Sequence, residues 1–201
     1  ALYYIQKKNE DGTYGERETT TKYSDATTYL CGTALPDVYG GFGTTFTYKG
    51  FDLSVDFTYQ LGGQCYDGDY QSAMNSPTSQ GKGNVMHADL LNAWSPANTG
   101  SDIPRLSKND PNGNFTTASD WYLENASYLR LKNVTLSYDL SDVFRKWSHL
   151  NDRNSRLSVY FSGENLATIT GYSGMDPECG GWDALKYPVS RVLSVGVKLT
   201  Y

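Results

Sequence analysis

The stretch Phe51–Leu61, FDLSVDFTYQL, puts Phe51, Leu53, Val55, Phe57, Tyr59 and Leu61 on one parity and Asp52, Ser54, Asp56, Thr58 and Gln60 on the other. Successive side chains of a strand point to opposite faces, so this run is a strand with one apolar and one polar face. About ten residues is also what a tilted strand needs to cross a bilayer. Just upstream, Val38–Tyr48 (VYGGFGTTFTY) alternates again, with Val38, Phe42, Phe46 and Tyr48 on its apolar parity, and only Lys49-Gly50 separates the two runs. A two-residue hairpin then sets Tyr48 opposite Phe51, Phe46 opposite Leu53 and Phe42 opposite Phe57. A slip of one residue would drive Asp52 and Asp56 among aromatic rings, so the pattern and the turn demand the same register. Gly40 falls opposite Tyr59, whose ring can cover the bare backbone.

Composition narrows the medium on each side of such strands. The 201 residues include 17 Tyr and 20 Gly, and the mean hydropathy is −0.55. No run approaches the ~18 consecutive apolar residues of a membrane helix, whereas alternating strands of a membrane barrel dilute their own hydropathy. A net charge of −5 supplies no basic stripe for phosphates and argues against a nucleic-acid partner. Cys31, Cys65 and Cys179 are too few and too scattered for a disulfide framework or a zinc site. Extending the hairpin ladder brings Cys65 near Ala34, which leaves a Cys31–Cys65 bridge open beside the plainer reading of unpaired loop thiols. The sequence opens on Ala1 with no signal peptide and reads as a mature fragment.

Six strands are expected: Leu2–Lys8, Val38–Tyr48, Phe51–Leu61, Tyr122–Leu140, Arg156–Thr170 and Val189–Tyr201. Within YLRLKNVTLSYDL the apolar parity changes between Leu131 and Val134, which predicts a β-bulge near Lys132-Asn133. Ser141–Asn154 suits a short amphipathic helix capped by Ser141, with Val143, Phe144 and Trp147 as its apolar side. His87–Trp94 is a modest helical candidate. Long connections (9–37, 62–121, 171–188) alternate with short ones (49–50, 141–155), the asymmetry of outer-membrane barrels. Six strands are too few to close a barrel, and the first and last would present bare edges.

Chemistry-bearing residues form no catalytic pattern. Asp52 and Asp56 lie about 13 Å apart along a strand, too far for paired-carboxylate catalysis, and a solvated interior explains them. Asp110-Pro-Asn-Gly-Asn faintly resembles a calcium loop, but its glycine is misplaced and a plain turn is favoured. His87 and His149 are isolated, and no nucleophile elbow, metalloprotease helix or phosphate loop is present. The sequence thus predicts no enzyme, cofactor or metal. Trp121 and Tyr122 suit an interface girdle or loop packing. Trp94, Trp182 and Tyr70 are the candidates for contact with a ligand or covering partner, whereas Asp52, Asp56 and Lys198 belong to the polar parity.

Four segments, YGGFGTTFTYKGFDLSVDFTYQLGG (Tyr39–Gly63), NASYLRLKNVTLSYDL (Asn125–Leu140), VYFSGENLATITGYSGMDPE (Val159–Glu178) and YPVSRVLSVGVKLTY (Tyr187–Tyr201), resemble the C-terminal barrel segments of SusC/RagA-type TonB-linked (TonB-dependent) outer-membrane transporters. The resemblance implies an all-β, antiparallel transmembrane barrel segment within a barrel of about 22 strands. Residues 1–201 would be the C-terminal part of that barrel, without the plug domain and TonB box. It further implies a Gram-negative outer-membrane location, a SusD-type surface lipoprotein as lid, and energy from the TonB complex through the missing N-terminal part. The cargo would be an oligosaccharide or a peptide, with glycans favoured by the acidic polar parity and the loop aromatics. Tyr201 would match the aromatic end that such barrels present to the assembly machinery. The competing classes are a soluble surface lectin or adhesin built as a β-sandwich, and an outer-membrane enzyme or passive porin.

Overall fold

The computed structural model describes residues 2–74, 85–107, 110, 112–148, 156–184 and 186–200. Its strands and helices, in chain order, are β1 (Tyr3–Lys8), β2 (Tyr14–Thr20), β3 (Val38–Tyr48), β4 (Phe51–Leu61), β5 (Gln64–Asp67), α1 (Gly68–Ala73), β6 (Leu123–Asn125), β7 (Tyr128–Asp139), α2 (Ser141–Ser148), β8 (Arg156–Thr170), β9 (Trp182–Asp183) and β10 (Val192–Thr200). They fall into two compact units.

The larger unit is built on one five-stranded antiparallel sheet in the order β10-β8-β7-β4-β3. The β3–β4 hairpin takes the expected register, with Tyr48 opposite Phe51, Phe46 opposite Leu53, Phe42 opposite Phe57 and Gly40 opposite Tyr59. Its turn residues, Lys49 (φ 47°) and Gly50 (φ 85°), are both left-handed, the geometry whose twist matches that of paired strands. A Cβ added to Gly40 would lie 3.1 Å from the Tyr59 hydroxyl, so the ring does cover that backbone.

The bulge lies where the parity changes. Asp56 pairs with Asn133 and Phe57 with Leu131, leaving Lys132 unpaired, and β8 answers with its own irregularity between Glu164 and Ala167. Asn165, inside that irregularity, is left-handed with φ 52°. The bulge keeps the apolar residues of β7 on one face along its whole length. Val195, Phe161, Leu136, Leu53 and Phe46 therefore form an unbroken apolar row across all five strands. The row one step along is Val197, Val159, Tyr138, Phe51 and Tyr48, with Phe51 and Tyr138 ring centroids 4.3 Å apart. Most of these side chains are exposed, Phe46 at 64% and Val195 at 81% of full accessibility, whereas Leu53, Val159 and Tyr138 are half-buried by their neighbours. Among the described residues nothing pairs with the outer edges of β3 and β10.

The smaller unit holds the β1–β2 hairpin, α1, most of a three-stranded sheet in the order β6-β5-β9, and a buried cluster of Met74, Leu90 and Phe115. Strand β1 does not extend the large sheet as expected; it pairs with β2. β2 (YGERETT) has no apolar face, so the alternation that marks the other strands is missing from it. Tertiary contacts hold the hairpin: the Tyr3 hydroxyl bonds Asn112 O (3.1 Å) and Gly113 O (3.0 Å), and Gln6 N donates to Thr27 Oγ1 (2.9 Å).

Other expectations are corrected in detail. The strand expected over Tyr122–Leu140 divides, because Tyr122 ends a 3₁₀ turn and β7 begins at Tyr128. His87–Trp94 yields a 3₁₀ turn over Ala88–Asn92, and α1 forms where none was expected, its N-cap Asp67 accepting from Tyr70 N (2.7 Å). Ser141 does not cap α2; its Oγ accepts from Leu157 N (3.1 Å) and ties the helix start to β8. The last strand begins at Val192, three residues after the expected start at Val189. Cys31 is a free thiol and Cys65 is a disulfide cysteine, so the Cys31–Cys65 bridge does not form. The left-handed pair Gly62 (φ 75°) and Gly63 (φ 79°) breaks the hairpin ladder before it reaches Cys65. Residues 149–154 of the expected helix, His149 and Tyr201 lie outside the described residues.

Candidate functional site

The polar face of the large sheet is a second set of rows. Thr47, Asp52, Ser137, Tyr160 and Gly196 form one, and Thr45, Ser54, Thr135, Ser162 and Ser194 form the next. Asp52 accepts from Thr47 Oγ1 (2.5 Å), and Asp56 from Asn133 Nδ2 (3.2 Å). A recess of about 440 Å³ near the hairpin end brings Asp52 and Lys198 together with Asp139 and Arg156, two acids facing two bases. Asp56 shares the face but not the recess.

At the opposite end of this face lies an ion cluster that the sequence reading missed. Arg130, 3% exposed, donates to Asp176 Oδ1 (2.5 Å), Glu178 Oε2 (2.8 Å) and Thr168 Oγ1 (3.1 Å), and stacks over Tyr128 at 5.2 Å. Asp176 also accepts from Glu178 N (3.0 Å) and Val189 N (3.3 Å). Burial alone would raise its pKa, but those two N–H groups and the guanidinium outweigh it and hold the carboxyl below the ordinary range. A strand arginine between Leu129 and Leu131, with Asp-Pro-Glu in a later loop, was the signal available in the sequence.

In the smaller unit, the loop from Trp94 to Ser107 walls a cleft of about 1040 Å³. Trp94 N donates to Ile103 O (2.9 Å), and Ser95 and Asn98 exchange backbone hydrogen bonds (2.9 and 3.2 Å), so the loop is internally braced. Trp94 lines the cleft with Asp102, Arg105, Asn112 and Asn114. Trp182 and Tyr70 do not. Trp182, half exposed, stacks on Tyr66 with centroids 4.6 Å apart. Tyr70 packs on the Met74–Leu90–Phe115 cluster and its hydroxyl donates to Asp89 Oδ2 (2.9 Å). Burial and that carboxylate push its pKa up to about 12. Asp67, accepting from Tyr70 N, is pushed up by burial and by the nearby Glu124 and Asp183 carboxylates.

Asp110 is a turn, not an ion loop: its carboxylate oxygens accept from Asn114 N and Phe115 N, both at 2.9 Å. Among the described residues no group of three or more His, Cys, Asp or Glu side chains is placed to hold a metal.

A sheet apolar on one exposed face, polar on the other and, among the described residues, unpaired at both edges is a segment of a larger transmembrane β-barrel. Along most of its length the chain is similar to SusC/RagA-type TonB-dependent receptors. TonB-dependent receptor P3 of Formosa agariphila is 29% identical over 205 residues, covering 94% of this chain and 19% of the relative. TonB-dependent receptor SusC of Bacteroides thetaiotaomicron is 29% identical over 166 residues, 82% of this chain and 15% of the relative. Among solved structures, the RagAB peptide importer in its closed-closed state superposes with a TM-score of 0.76 at 31% identity, over 98% of this chain and 21% of that one. No family model matches. The chain spans about a fifth of the length of the relatives it matches, and those relatives are receptors and importers, not enzymes.

Proposed function

We propose that this chain is the C-terminal barrel segment of an energy-coupled nutrient importer in the outer membrane of a Gram-negative cell. The observation that carries the reading is the apolar row Val195–Phe161–Leu136–Leu53–Phe46, exposed on one face while Asp52, Asp56 and Lys198 occupy the other. On this reading the apolar rows meet lipid, and the polar rows line an aqueous lumen beside a plug domain encoded elsewhere in the protein. The long loops form part of the outer opening under a SusD-type lipoprotein lid. Cargo binds at the outer face, the lid closes, and TonB pulls on the plug; no bond is made or broken.

An oligosaccharide is the favoured cargo. Trp94 offers an indole face in a cleft rimmed by Asp102, Arg105, Asn112 and Asn114, groups that hydrogen-bond hydroxyls. Trp182 and Tyr70, outside that cleft, are left to lid contact and loop packing. A peptide cargo is the second reading, favoured by the likeness to the RagAB peptide importer. Deleting the complete gene and growing the cells on oligosaccharides or on peptides as sole carbon source decides between them. Loss of growth on oligosaccharides alone supports the first reading, and loss on peptides alone the second. Unchanged growth on both overturns the importer.

A further inference from the structure

We infer that α2 (Ser141–Ser148) is a membrane-interface anchor that seats Val143 and Trp147 among phospholipid headgroups; the inference rests on the barrel reading above. Leu140 N donates to Leu157 O (2.7 Å), extending the β7–β8 ladder by one residue on the apolar parity. The helix starts at the next residue, at the margin of the apolar face and one step beyond the aromatic row of Tyr48, Phe51 and Tyr138. Aromatic rings at that level belong to the girdle where a bilayer meets water.

The composition of α2 fits the same boundary. Val143 and Trp147, one helical turn apart, are 62% and 80% exposed, whereas Phe144 is half-buried. A bare tryptophan on an amphipathic helix beside Arg145 and Lys146 is the pairing that settles at the headgroup level: ring toward the acyl boundary, cation toward phosphate. Arg145 is ion-paired with Asp142, and Lys146 is exposed. The helix sits at the same end of the sheet as the Lys49-Gly50 turn. If short turns face the periplasm, the lipids it meets are those of the inner leaflet. The aromatic row of Tyr48, Phe51 and Tyr138 ends just before the helix start, and this continuity with the girdle favours lipid over another protein segment as the occupant.

The test uses the full-length protein, with Cys31→Ser, in nanodiscs of phosphatidylethanolamine and phosphatidylglycerol. Nitroxide labels are placed singly through Val143→Cys, Trp147→Cys and, as depth control, Val55→Cys. Collision rates with oxygen, which partitions into lipid, are compared with those of a water-soluble nickel chelate. The inference expects oxygen to dominate at 143 and 147, at a shallower depth than at 55. Chelate access at 147 equal to that of a free label would overturn it, as would shielding of 147 from both reagents, which marks a protein partner. Chelate access at 55 would instead defeat the barrel reading, and the anchor with it.

Discussion

Arg130→Ala removes the cation that gathers the loop after β8 onto the polar face. Asp176, 15% exposed, would be left near-buried without its partner, and breaking a buried pair costs about 3–5 kcal/mol. Glu178 is 54% exposed, so its share is within about 0–1 kcal/mol. The loss falls on the loop, because β7 and β8 keep their backbone ladder. At about 1.4 kcal/mol per factor of ten, the amides of Glu178 and Val189, which donate to Asp176, should exchange roughly a hundredfold to a few thousandfold faster. Hydrogen exchange by mass spectrometry on the full-length protein in detergent reads this. The double variant Arg130→Met/Asp176→Leu replaces both charges by apolar groups and should recover most of the protection. Exchange in Arg130→Ala as slow as in the parent would refute the claim that this ion pair holds the loop.

Val55 lies in the middle of the apolar face, so Val55→Arg should destabilise the folded barrel by about 2–4 kcal/mol, whereas Ser54→Arg, on the polar face, should cost far less; urea midpoints of the refolded full-length protein compare them. Tyr70, raised to about 12, keeps its proton in the folded loop after an unfolded tyrosine has lost it. Its contribution to stability is therefore complete below pH ~10 and lost as pH rises through about 12. Tyr29 and Tyr122 are raised as well, so absorbance titration of tyrosinate should show several late-titrating rings, one fewer in Tyr70→Phe. If the proposed oligosaccharide cargo is right, Trp94→Ala should weaken its binding to the full-length protein about two- to tenfold, the worth of one ring contact, in isothermal titration calorimetry.

The large sheet was legible because each strand in it has one apolar and one polar face. Alternation in Phe51–Leu61 fixes a face, the Lys49-Gly50 turn fixes a register, and the parity change near Lys132 fixes the bulge. Strand β2 was not legible because YGERETT lies in a loop unit and has no face to bury; long-range bonds from Tyr3 and Gln6 hold its hairpin. The sum rule that paired Tyr48 with Phe51 failed at Cys65 because Gly62 and Gly63 turn the chain away. Of the candidate residues, Asp52 and Lys198 share a recess because strand periodicity puts them on one face. Trp94, Trp182 and Tyr70 were chosen by type and loop position, which carry no distance information, and they occupy three different environments. The Arg130 cluster escaped notice because its partners lie more than forty positions downstream, at Asp176 and Glu178.

A cysteine scan of Phe51–Leu61 in whole cells expressing the full-length protein, read with a membrane-impermeant thiol reagent small enough to enter the lumen, tests the central claim most directly. Labelling is expected with a period of two: at 52, 54, 56, 58 and 60, and none at 53, 55, 57 and 59. Uniform labelling of both parities, or labelling of the odd positions alone, would contradict it.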